Sequence, residues 1–239
     1  MDLFGEVEEA QRKPAKPVKP WSDEVRLKGE KDTLGLYLTG HPIDVYRTEL
    51  KAFIPNKINE LTPTRRGVTT VFAGLVVDVA NFPNRMMVTL DDGTSRIEVS
   101  ANHERFMRFK DIIQNEKVVV IEGEIYEREG FDRPMGRLTK AFNLNEIRQK
   151  RANHIAIKLS PEVLTKTLTS DLQKILQPYC NVDMCQHIPV HIMLDYDYAT
   201  AEFHFGQQWK VAPLDELLSK MRDYFGKEAI FIEYQVKSK

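Results

Sequence analysis

The apolar positions change their period several times along the chain, and each change marks an element boundary. Leu34, Tyr37 and Leu38 fall at i, i+3 and i+4, which predicts one inward helix face ahead of Gly40 and Pro42, residues suited to a helix end. A shorter helix is expected before it, capped by Ser22, begun by Asp23 and Glu24, and broken at Gly29. Asp44 to Phe53 reads as another short helix, and Pro55 to Gly67 as loop. From Val68 the pattern turns to strands. Val68–Val79, Met86–Leu90 and Arg96–Ala101 are β-branched or alternating, with the turn signal Asp91-Asp92-Gly93 between the last two. Arg105, Phe106, Phe109, Ile112 and Ile113 return to helical spacing. A long strand over Glu116–Glu129, a loop over Gly130–Pro134 and a strand near Arg137–Leu144 follow. Three strands, a helix and two strands form the order of an OB-fold barrel.

After the charged junction Arg148-Gln149-Lys150-Arg151, the elements alternate again. Strands are predicted over Ile155–Leu159, Ile188–Leu194, Ala201–Phe205, Trp209–Ala212 and Ala229–Tyr234, with helices over Val163–Leu176 and Leu214–Phe225. Pro161 and Pro178 sit where a helix start and a helix stop tolerate them. At the other end, Pro14, Pro17 and Pro20 recur every third position with lysines between, an extended and solvated composition. The fold class is therefore mixed β and α+β. A tether over 1–20 precedes an N-terminal helical segment over 21–67, an OB-fold β-barrel over 68–147 and a small C-terminal α+β domain over 148–239.

Composition narrows the function classes. A chain of 239 residues with 42% apolar content and a mean hydropathy of -0.40 builds real cores in one or two domains. It lacks any run of the roughly 18 apolar residues that a membrane span needs. Its start, Met1-Asp2-Leu3-Phe4-Gly5-Glu6, turns acidic too soon for a secretory signal. Two cysteines exclude a disulfide scaffold and fit a reducing cytoplasm, so a cytoplasmic location without membrane contact is expected. A net charge of -1 means that any contact with nucleic acid must be local.

No phosphate-binding glycine loop, nucleophile elbow or H-E-x-x-H is present, so no catalytic residue, metal or cofactor is expected. Asp195 and Asp197, with Glu202 nearby, read better as hairpin polar groups than as metal ligands. Cys180, Cys185 and His187 lack a second pair at zinc-finger spacing. His191 and His204 read as packing residues on strands. The barrel offers a surface instead. OB-folds bind single strands through strands 2 and 3 and two loops, combining cations with aromatic platforms. Phe82 and Arg85 in the first loop, Arg96 on the third strand, and Phe131, Arg133 and Arg137 around the second loop occupy those places. Ten basic residues against thirteen acidic ones over 68–147 oppose a strong phosphate track.

The run Glu30-Lys31-Asp32-Thr33-Leu34-Gly35-Leu36-Tyr37-Leu38-Thr39-Gly40-His41-Pro42 resembles a signature of the alpha subunit of bacterial DNA polymerase III. Thr70 to Asp92 is similar to the opening of that family's barrel. Ile188-Pro189-Val190-His191 and Phe205-Gly206-Gln207-Gln208-Trp209-Lys210-Val211 are similar to stretches of its C-terminal domain. The resemblance implies the non-catalytic C-terminal part of a replicative DNA-directed DNA polymerase, without the family's metal-binding aspartates. It implies three partners. Asp2, Leu3 and Phe4 match part of a sliding-clamp peptide, a weak anchor because the family's glutamine would precede Met1. The tau subunit of the clamp loader would dock at the last strand, where Phe231 and Tyr234 are the candidate residues. Single-stranded DNA would meet the barrel. The alternative is a free-standing OB-fold single-strand-binding protein.

Overall fold

The computed structural model describes residues 21–54, 56–127, 133–165, 167–183, 185–196 and 198–234. The expected tether, its Asp2-Leu3-Phe4 end and Phe131 lie outside the described residues. The chain divides into two compact units, Met1–His41 and Pro42–Lys239.

In the first unit, helix α1 (Asp23–Leu34) runs unbroken through Gly29, with the Ser22 hydroxyl accepting the Val25 N–H. Gly35, not Gly40, ends it. Gly35 takes φ 75°, a region that favours glycine, and donates its N–H to the Lys31 carbonyl. Tyr37 and Leu38 therefore lie beyond the helix and lose its period. The expected inward face does not form: Leu34 is 53% and Leu38 66% exposed. The signature is instead held by Glu30, whose carboxylate accepts the N–H of Leu38 at 2.7 Å, the N–H of Thr39 at 3.1 Å and the Thr39 hydroxyl. These bonds, the hydroxyl's foremost, hold the Glu30 carboxyl below the usual carboxylate range.

The second unit begins with a 3-10 turn over Pro42–Tyr46 and helix α2 (Arg47–Leu50). Strands β1 (Val68–Phe82), β2 (Arg85–Asp91) and β3 (Arg96–Ala101), helix α3 (His103–Arg108), and strands β4 (Val118–Tyr126) and β5 (Met135–Phe142) follow. They close a barrel in the order β1-β2-β3-β5-β4, the closed five-strand OB topology. The 15-residue β1 pairs with β4 through its first half and with β2 through its second, bending at a bulge between Val76 and Asp78. Alternation sends Phe72, Val88, Leu90, Ile97, Val99, Ile121 and Leu138 inward, each contributing about 1.5–3 kcal/mol on full burial. Gly123 is required where β4 crosses β5, because a Cβ there would sit 2.5 Å from the Arg137 carbonyl oxygen. The stretch expected as loop after Pro55 also enters this core through Ile58 and Leu61. Asp92 fixes its position: its buried carboxylate accepts the N–H groups of Ile58, Thr94 and Ser95 and the Thr94 hydroxyl.

The charged junction is helix α4 (Leu144–Arg151), capped by the Asn143 side chain. It packs Leu144 and Ile147 with Ile43, Leu50, Ala73 and Val120. Beyond it, β6 (Ala152–Leu159), α5 (Leu168–Leu176), β7 (Val190–Tyr196), β8 (Ala199–His204), α6 (Asp215–Phe225) and β9 (Ile230–Tyr234) build a four-stranded sheet in the order β8-β7-β6-β9. Two expectations change here. The first helix starts at Leu168 rather than Val163, because Pro161–Val163 closes into a 3-10 turn that ends at Leu164. No strand covers Trp209–Ala212: Gln207–Trp209 is a 3-10 turn, and Val211 makes a single bridge to Ile188. Ile155, Ile157, Val190, Ile192 and Ile230 face Leu172, Leu176, Leu217 and Met221 of the two helices. The opposite sheet face carries His154, His191, Glu202, His204 and Phe231, in the alternate positions of their strands.

Candidate functional sites

Three places gather candidate side chains. The first is the outer wall of the barrel. β1 and β2 join through a turn at Pro83-Asn84, which pairs Phe82 with Arg85 and lays the Arg85 guanidinium 5.8 Å from the Phe82 ring centre. On β3 the Arg96 Nε meets Asp91 Oδ2 at 2.7 Å. Arg137 lies opposite Ser100 across the parallel β3–β5 seam. Its Nη1 meets Glu124 Oε2 at 3.0 Å, and its guanidinium covers the Tyr126 ring at 5.5 Å. Arg133 is exposed just before β5. The structure thus brings Arg96 and Arg137 onto one wall, each engaged by a carboxylate. Tyr126 is the aromatic that sequence reasoning passed over; its outward place in the alternation of β4 is the signal that finds it.

The second place joins the helical segment to the C-terminal domain. Arg148 is fully buried. Its Nε and Nη2 donate to the two Glu49 oxygens at 2.6 and 2.7 Å, and Nη1 donates to Asp215 at 2.6 Å and Asn145 at 2.9 Å. The Tyr234 hydroxyl donates to Glu49 Oε1, and the Tyr234 ring meets Phe53 edge-on at 5.4 Å. Burial opposes the charge on Arg148, yet Glu49 and Asp215 hold its pKa above the ordinary arginine value. Burial, then the Glu49 charge, pushes the Tyr234 hydroxyl upward, so it remains a donor. Tyr234 thus has a partner within the fold at both its hydroxyl and its ring. Phe231 is half-buried beside a cavity of about 140 Å³ lined also by Val45, Thr48, Arg222, Glu228 and Ile232.

The third place is the open face of the C-terminal sheet. His191 is sandwiched between His154 and His204, with ring centres 4.0 Å away on both sides and planes within 20° and 15°. Glu202 Oε1 lies 2.9 Å from His191 Nδ1 and 3.2 Å from His204 Nε2, while Glu233 Oε2 lies 3.6 Å from His154 Nε2. Burial, followed by the neighbouring His154, holds His191 below the usual histidine range against the pull of Glu202. His191 and His204 are packing residues as expected, but they pack on each other in a polar stack, and His204 is largely exposed. Asp195 turns elsewhere, to Lys158 at 2.7 Å and Thr200 at 3.0 Å, so it does not converge with Glu202. Cys180 donates to the Leu176 carbonyl and Cys185 accepts from Gln149.

Among the described residues, no helix is long and apolar enough to cross a membrane. Residues 70–147 match the family model of an OB-fold nucleic acid binding domain. Residues 171–226 match that of DNA polymerase III subunit alpha, C-terminal domain. Over 98% of its length the chain is 36% identical to the DNA polymerase III subunit alpha of Pseudomonas aeruginosa and 32% identical to that of Escherichia coli K12. It spans about 20% of the length of each of these relatives. Among solved structures, an OBody bound to hen egg-white lysozyme is similar over 37% of this chain and 91% of its own, with a TM-score of 0.32 and 21% identity.

Proposed function

The chain belongs with the C-terminal region of the bacterial DNA polymerase III alpha subunit, and from that premise we propose that it is a non-catalytic part of a replicative polymerase that organises its partners. The carrying observation is the similarity over 98% of this chain to about 20% of a polymerase subunit, in a chain that holds a closed OB barrel and a second sheet. In this reading the Asp2-Leu3-Phe4 peptide contacts the sliding clamp. Phe231, beside its cavity on the terminal strand, docks the tau subunit of the clamp loader. The barrel wall with Phe82, Arg85, Arg96, Arg133 and Arg137 touches single-stranded template, weakly, because carboxylates already engage Arg96 and Arg137. That engagement also argues against a free-standing single-strand-binding protein, which needs an open cationic groove.

The test is a pull-down of the purified chain against sliding clamp and clamp-loader tau, with metal-dependent nucleotide incorporation assayed in parallel. Retention of both partners without incorporation is expected. Capture of neither partner, or incorporation by the pure chain, overturns the reading.

A further inference from the structure

We propose that His154, His191 and Glu202 form a binding site for one divalent transition-metal ion of the zinc class on the open face of the C-terminal sheet. Two imidazoles and a carboxylate are a donor set that selects such ions over magnesium or calcium, which prefer oxygen alone. One ligand atom from each of the three residues lies within 4.8 Å of the other two. In a tetrahedral zinc site with bonds near 2.0 Å, ligand atoms stand about 3.3 Å apart. The 2.9 Å between His191 Nδ1 and Glu202 Oε1 is already close to that spacing. In the stacked arrangement the imidazole lone pairs run side by side, so binding an ion requires both rings to turn about their own side-chain bonds.

The strands fix the backbone positions of the set. His154, His191 and Glu202 come from β6, β7 and β8, three neighbours hydrogen-bonded in one sheet. His191 is the register partner of Ala156, two residues after His154, and of His204, two residues after Glu202. The two α-helices pack on the other face. Both histidines of the set are largely buried. His204 stands 3.2 Å from the same Glu202 oxygen and can supply the fourth ligand, with water as the other occupant. Glu233 beside His154 adds a second carboxylate, which balances the charge of a dication. The site would tie the edge strand β8 to β6 across β7.

The experiment titrates tag-free full-length chain with zinc chloride by calorimetry and follows cobalt substitution by visible absorption. The expected result is one zinc ion per chain, a cobalt spectrum of tetrahedral nitrogen and oxygen ligands, and a zinc-dependent rise in Tm. His191→Ala and the isosteric Glu202→Gln should each weaken zinc by about tenfold or more and abolish the Tm rise, while Cys185→Ser changes neither. Absence of stoichiometric binding overturns the proposal. So does undiminished binding in both the His191 and Glu202 variants, if each melts cooperatively, or a thiolate-to-cobalt band that moves the ion to the cysteines.

Discussion

Arg148 grips Glu49 through two hydrogen bonds of 2.6 and 2.7 Å, although 99 positions separate them in the chain. The pair is buried, and Asp215 and Tyr234 complete it from the C-terminal domain. Removing Glu49 leaves the buried Arg148 with Asp215 alone to balance its charge. Glu49→Ala should therefore destabilise the chain by about 3–5 kcal/mol in urea unfolding, more than the double change Glu49→Leu/Arg148→Met. Equal losses in the two variants would show that the pair itself, and not the orphaned charge, carries the effect.

Tyr234→Phe removes the hydroxyl that donates to Glu49 and keeps the ring against Phe53. It should cost about 1–2 kcal/mol and leave tau binding intact. Phe231→Ala should do the reverse, costing no more than about 2 kcal/mol because Phe231 is only half-buried, while tau binding is lost. Thermal unfolding and tau affinity, measured on both variants, separate fold from docking.

Glu30 titrates below the ordinary carboxylate value when its loop is formed. The bonds it accepts from Leu38 and Thr39 are thus complete above that ordinary value, and they fail as pH falls through the lowered one. Amide exchange at Leu38 and Thr39, corrected for intrinsic rates, should accelerate in that acid window. Glu30→Ala should show the faster exchange at neutral pH as well.

The barrel's affinity for single strands should rise when its own carboxylates are removed. Glu124→Gln frees Arg137 and Asp91→Asn frees Arg96, so each should tighten binding a few-fold and steepen its salt dependence. Arg85→Glu and Arg133→Glu should weaken binding for every sequence alike. Fluorescence anisotropy with a labelled oligonucleotide at two salt concentrations checks both directions.

The barrel and most of the C-terminal sheet are legible in the sequence because their strands alternate or are β-branched, and a closed core enforces that pattern on every strand. Other features are set by pairings that no local pattern records. Arg148 looks like one cation in a charged junction until α4 turns it towards Glu49. Ile58 and Leu61 sit in a stretch with no period, and their burial depends on Asp92 accepting the Ile58 N–H. The signature after Glu30 misleads for a related reason: a positive-φ Gly35 ends the helix inside an apparently continuous apolar stripe. His154, His191 and His204 are scattered in sequence, and only the register of β6, β7 and β8 stacks them.

The Arg148 hub also imposes an order on biosynthesis. A ribosome delivers Glu49 first, then the five barrel strands, then Arg148, so the bidentate pair is available once α4 has emerged. Asp215 and Tyr234, which complete the hub, follow later in the chain. Ribosome-stalled chains whose emerged part ends between Arg151 and Asp215 should hold a closed barrel with the Glu49–Arg148 pair made and the Asp215 and Tyr234 contacts missing.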